Sequence, residues 1–314
     1  MTLIVFFIFA AVILGAGAML SPAYPTSQPR IGLSAALALA LIAGGAVFYG
    51  TAAGWNTLVV DYMLFLLVTS IFLGGTLSYG QKRAESRGEE LADEDQGWPG
   101  PFDLVGLLGG LALFIAVAVL WGVPNPALIF DAARINSGEV SLYVTGTPAF
   151  STLAAYLAGQ LSAPLNDVLL AMSAVLAGMI MWLVYDLGAE LHAKPLGRKL
   201  GYLAMPLLVV LVAAGEGAVL MGAVFLLALG IFAVRYIQHG KRVDIVAAGL
   251  MLGAVALSVP PLPLIALAGV GAAAVWLVVK TDALRSVLFA AGVVAVALVA
   301  TLPTLVTHGW TLIR

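Results

Sequence analysis

Apolar residues run along this chain in blocks too long and too unbroken for a soluble domain. Runs that can span a bilayer fall near 2–20, 32–50, 57–79, 103–122, 167–189, 200–214, 217–237, 243–259, 262–279 and 284–306. A span needs about 20 apolar residues, so the pattern predicts ten membrane helices. The run at 200–214 is short, and the preceding LGRKLGYLAMP extends it. Alternation over short segments, as a membrane barrel would show, is absent.

Two predicted helices break the rule. Asn125 suits a helix cap and Pro126 the first helical position, where the missing N–H costs nothing. Gly138 suits the stop, which gives a helix over about 126–137. Within it, Asp131 and Arg134 stand three residues apart on one face. The signal repeats with Thr147 and Pro148. Phe150, Leu153, Ala154, Leu157 and Leu161 follow at helical spacing, with Thr152, Tyr156 and Gln160 on the other side. This helix, about 148–163, is too short to span and reads as an amphipathic interfacial helix.

Composition supports the membrane reading. Hydrophobic residues make up 62% and charged residues 10% of 314, against about 25% charge in ordinary domains. The absence of cysteine excludes disulfides, thiolate metal sites and cysteine nucleophiles. Net charge is −2, and no basic stripe suggests nucleic acid. The first twenty residues lack a positive leading region and read as a retained helix.

Charge fixes orientation. With 148–163 on the surface, one side collects Arg30, the Lys82–Arg83–Arg87 group, the Lys194–Arg198–Lys199 group, Arg235 with Lys241 and Arg242, and Lys280 with Arg285. These are 12 of the 14 basic residues, leaving only Arg134 and Arg314 opposite. By the positive-inside rule the chain has ten spans with both termini outside, and residues 121–167 lie on the external face. The charged segment 81–102 reads as a solvated cytoplasmic linker. It divides a three-helix unit, 1–80, from a membrane core, 103–314.

Candidate chemistry gathers on the external face: Asp61, Asp131, Glu139, Asp167 and Glu216. Asp167 reads as a cap of the fifth span, Glu139 as solvated and Asp61 as interfacial. Asp131 lies mid-helix beside the membrane, where either function or a pair with Arg134 explains it. Glu216 sits in a tight GEG turn that needs only small residues. The three histidines lack partners at ligand spacing, so a zinc or di-iron site is not indicated. No phosphate-binding GxxxxGK[ST] loop occurs. Asp186 ends a span and reads as interfacial. With the spans otherwise almost free of charge, a small-molecule transporter is disfavoured.

The order of elements over about 103–240 resembles the core of the GT-C superfamily, polytopic glycosyltransferases that use polyprenyl-phosphate-linked sugars. The resemblance rests on PFDLVGLLGGLALFIAVAVLW, FDAARINSG, TGTPAFSTLAAYLAGQL, the span NDVLLAMSAVLAGMIMWLVYDLGAEL, the turn HAKPLGRKLG and the GEG turn. It implies an all-α membrane fold in a prokaryotic plasma membrane, with a lipid-phosphate sugar donor entering from the outer leaflet. Asp131 would be the general base or would hold a divalent metal ion, and Glu216 would be the second catalytic acid. Arg134, Tyr143, Tyr156 and Gln160 would bind substrate. The loop carries one acid where that family often has two, Asp131 being followed by Ala132. A non-catalytic subunit of a larger membrane complex, built on the same core, is the alternative.

Overall fold

A computed structural model describes residues 1–20, 31–52, 65, 69, 101–137, 148–191, 194–259, 261–280 and 283–313. The expected span at 57–79 and the linker at 81–102 lie almost wholly outside these. The described residues form an all-α protein of eleven helices: α1 (Thr2–Leu20), α2 (Ile31–Ala52), α3 (Pro101–Trp121), α4 (Pro126–Asn136), α5 (Pro148–Leu161), α6 (Leu165–Glu190), α7 (Lys194–Ala213), α8 (Gly217–His239), α9 (Arg242–Ala256), α10 (Leu262–Lys280) and α11 (Ala283–Ile313). Eight of them are long and apolar enough to cross a membrane, and the chain is a multi-pass integral membrane protein.

Burial sorts these helices. In α6, 89% of the span is enclosed, and α2 and α8 follow at 78% and 67%, whereas α10 is only 17% buried. The three enclosed helices pack on one another and form the centre. The outer faces of α3, α7, α10 and α11 remain apolar and exposed, as at Val105, Leu203, Val279 and Val287. So much exposed apolar surface fits a lipid solvent rather than water.

Close approaches use small residues. A Cβ at Gly17 would lie 2.6 Å from the Ala35 backbone, where α1 meets α2. One at Gly197 would lie 2.8 Å from the Gly188 Cα, where α7 meets α6. Such contacts let helices pack by dispersion where no hydrophobic force between them exists.

The polar links divide into two ends. At one, Thr2 Oγ1 donates to Asp167 Oδ1 at 2.6 Å, Asn125 meets Glu216, and the Val123 N–H donates to the Ala213 carbonyl at 2.8 Å. At the other, Arg198 pairs with Asp103, Arg235 with Glu190, and the Arg285 guanidinium lies against Gly240. This second end also holds the first turns of α7 and α9, and with them Lys194, Lys199, Lys241 and Arg242.

One helix differs from the sequence pattern in a way that shapes the first end. The run at 243–259 becomes α9, only 15 residues long, or about 22 Å. It stops short, and α5 takes up the space beyond it. The Ala149 N–H donates to the Leu257 carbonyl at 3.0 Å, so the start of α5 meets the end of α9 with opposed partial charges facing. The first two turns of α5 are therefore enclosed almost all round, from Ala149 to Ala155. Its far end leads into α6 beside Asp167, so both ends of α5 lie at the same end of the bundle.

Candidate functional site at the Asn125–Glu216 end

Local sequence places α4. Asn125 has extended backbone, and its Oδ1 accepts from the Ala127 N–H at 2.9 Å with Pro126 at the first helical position. This is the cap that the Asn-Pro pair predicts. The helix ends at Asn136, with Ser137 as its C-cap and the Ser137 hydroxyl donating to the Arg134 carbonyl. Gly138 and the Thr147 cap lie outside the described residues, as do Glu139, Tyr143 and Asp61. Leu128, Ala132 and Ile135 are buried, at one-turn spacing, against α5 and α6.

The remaining amide of Asn125 does the second job. Its Nδ2 donates to Glu216 Oε1 at 3.1 Å, tying the GEG turn to the start of α4. Gly215 makes that approach possible. It has φ of +66°, and a Cβ there would lie 2.6–2.7 Å from the backbone of Val123, Pro124 and Asn125. Only glycine adopts that conformation at no cost and leaves that room. Gly217 leaves room on the inner side, where a Cβ would collide with the Phe150 ring and lie 2.7 Å from Ser173 Oγ. The turn that seemed to need only small residues is thus clamped between α4, α5 and α6.

Asp131 is half-buried on α4. Loss of water by burial pushes its carboxyl above the usual carboxylate range, and the nearby Arg134 charge pulls it partly back. The Arg134 guanidinium lies 5.5 Å from the centre of the exposed Phe130 ring, a cation–π contact. Arg134 thus has an aromatic as well as an acidic neighbour.

The other expected residues are distributed unevenly. On α5, Gln160 is exposed and Tyr156 half-buried, but Thr152 is fully enclosed rather than on an outer polar face. Asp167 is not the cap of α6. Pro164 occupies that position, and Asp167 sits in the first turn, accepting from Thr2. Among the described residues, no three His, Cys, Asp or Glu side chains are arranged to hold a metal ion.

Compared with known proteins, the chain matches no family model, no curated protein and no solved structure.

The other end holds charges that the sequence reading did not single out. Arg235 is 2% exposed, with Nη1 2.7 Å from Glu190 Oε1 and Nε 3.4 Å from Asp244 Oδ1. Gln238 donates to the Glu190 carbonyl oxygen at 2.9 Å. Asp186 is also enclosed, at 1% exposure, rather than interfacial. A Cβ at Gly32 would lie 2.6 Å from its Oδ2, so this carboxylate faces the first turn of α2, a favourable position for negative charge. Asp186 and Glu190 stand four apart on α6, one helical face, but nothing local in the sequence pairs Glu190 with Arg235. This network links α6, α8 and α9 near their ends on the basic side.

Proposed function

We propose that the protein is a GT-C-like membrane glycosyltransferase that takes a sugar from a polyprenyl-phosphate donor at the Asn125–Glu216 end. The observation that carries the reading is the placing of α4. Asn125 holds its first turn to Glu216, and Asp131 stands one and a half turns further on, half-withdrawn from water with its carboxyl shifted upward. A base of that kind is poised nearer neutral pH than an exposed aspartate. In the proposed reaction Asp131 takes the acceptor hydroxyl proton, the acceptor oxygen attacks the sugar anomeric carbon, and the lipid phosphate leaves. Arg134 balances the charge on that phosphate. Glu216 acts through Asn125 as a positioning residue for α4. The ten-span topology, the external location of this end and the membrane of a prokaryotic cell belong to the same proposal.

The second reading, a non-catalytic subunit with this core, is favoured by one observation. The space behind α4 is filled: Phe150 is fully buried with its ring against the Gly217 backbone. A protein-packing role needs no room there.

The test is transfer from polyprenyl-phosphate-linked sugars by purified protein and by Asp131→Asn. The enzyme reading expects a loss of about 10²-fold or more with unchanged folding. Full transfer by Asp131→Asn would remove the catalytic assignment. No transfer by either, with the chain co-purifying with other membrane subunits, would favour the second reading.

A further inference from the structure

At the Arg198 end, α3 and α7 pack against α6 around a small open cleft lined by Asp103, Gly106, Tyr185, Arg198, Gly201 and Tyr202. Its floor is small because Gly106 and Gly201 line it. Asp103 and Arg198 stand at the mouth, with Arg198 Nε 2.7 Å from Asp103 Oδ1. The Arg198 side chain is 47% exposed and that of Asp103 only 10%. The Tyr202 hydroxyl lies directly over Gly106, where a Cβ would come within 2.6 Å of it.

We infer that this cleft binds the phosphate of an anionic glycerophospholipid from the leaflet on the basic side. The inference does not depend on glycosyl transfer. Arg198 has five N–H donors, and its contact with Asp103 is an ion pair at Nε rather than an aligned hydrogen bond, with the Nη donors lying beyond it. Those match two phosphate oxygens in the fork geometry at which arginine excels. Asp103 holds the fork in place, and Tyr202 supplies a hydroxyl beside it.

Depth and surroundings point to a lipid rather than a free anion. Arg198 is four residues into α7, about 6 Å along the axis, which is headgroup depth if the helix starts at the interface. Beyond the cleft the walls become bare hydrocarbon surface: Val105 is 71% and Leu203 76% exposed. Acyl chains lie there while the headgroup reaches Arg198. The same end carries Lys194, Lys199, Lys241 and Arg242, the mark of the cytoplasmic leaflet. That leaflet holds the anionic lipids, and basic pockets between membrane helices bind their headgroups.

The test uses the full chain in mixed phosphatidylcholine–phosphatidylglycerol nanodiscs, with retained lipid counted by native mass spectrometry. Wild type should retain phosphatidylglycerol selectively. Arg198→Gln should lower that retention about tenfold or more, the effect of a lost hydrogen bond to a charged group. Gly201→Leu should do the same while keeping every charge. A Cβ at Gly201 meets nothing nearer than the Met181 carbonyl oxygen at 3.9 Å, so the added side chain starts without a clash at a residue that lines the cleft, and this variant decides the matter if Arg198→Gln fails to fold. Arg242→Gln, on an exposed residue at the same end, should leave retention unchanged. Wild-type retention in Gly201→Leu would overturn the inference, and so would an equal loss in Arg242→Gln, which would mean general electrostatic attraction. Displacement by millimolar glycerol phosphate would overturn the assignment to a membrane lipid.

Discussion

Asn125 and Glu216 lie 91 positions apart in the chain, yet the Asn125 amide bonds the Glu216 carboxylate at 3.1 Å while its oxygen caps α4. One side chain thus sets both where α4 starts and how it sits on the turn between α7 and α8. Removing it by Asn125→Ala should cost about 1 kcal/mol for the cap and a further amount for the acceptor left behind. Asn125→Asp keeps a good cap but sets two carboxylates face to face, so it should also lower the thermal midpoint in detergent. Adding Glu216→Gln restores a donor and should bring the midpoint back. Additive effects of the two changes would show that the pair is not coupled.

At the opposite end, Arg235 is enclosed between Glu190 and Asp244. Arg235→Met leaves two buried carboxylates without their cation and should destabilise the protein by about 3–5 kcal/mol. Neutralising all three positions, with Glu190→Gln and Asp244→Asn added, should recover much of that loss, since a buried charge set is often no better than neutral groups of similar volume. Equilibrium unfolding of the single and triple variants checks this. A mild single variant would mean that water reaches Arg235.

The local features were legible because their causes are local. The Asn125–Pro126 start of α4 and Pro148 as the first residue of α5 follow from chemistry within a few residues. Long apolar runs likewise became helices, with α6 starting at Leu165 and α8 at Gly217. The enclosure of Thr152 was not legible, because it depends on α9 ending early at Ala256 and leaving room that α5 fills. Nor was the Arg235 network. Arg235 reads as one more basic residue near a turn, and its carboxylate Glu190 is 45 positions away. At the candidate site, Asp131 and Arg134 could be paired from sequence at three-residue spacing, but the partner of Glu216 could not.

The geometry of α5 makes a topological prediction. Its start is bonded to Leu257 and its end leads to Asp167, so both ends face one side of the bundle. The chain has no cysteine, so single cysteines report cleanly. Thr145→Cys and Asn166→Cys should react with a membrane-impermeant maleimide from the same side, and His239→Cys only from the other. The proposed orientation, drawn from the positive-inside rule, expects the first pair to label from the external face. If positions 145 and 166 label from opposite sides, α5 crosses the membrane, and the resemblance to the GT-C order of elements goes with it.

The last prediction reads Asp131 through its proton. Burial raises its carboxyl above the ordinary aspartate range and Arg134 draws it partly down. In the interval between the unfolded value, about 3.9, and the higher folded one, the folded state binds more protons than the unfolded state. Stability from this group therefore falls as pH rises through that interval. Activity has the opposite slope, because a general base works only after losing its proton. The acid limb of transfer should lie above the range of an exposed aspartate. Arg134→Gln removes the one influence that lowers the carboxyl, so it should move the limb to still higher pH while leaving the plateau measurable. A purely structural Asp131–Arg134 pair at a partly exposed site is worth about 0–1 kcal/mol and gives no such movement. The decisive measurement is kcat/KM against pH for wild type and Arg134→Gln. An unshifted limb in Arg134→Gln, with transfer intact, would place the catalytic proton on some group other than Asp131.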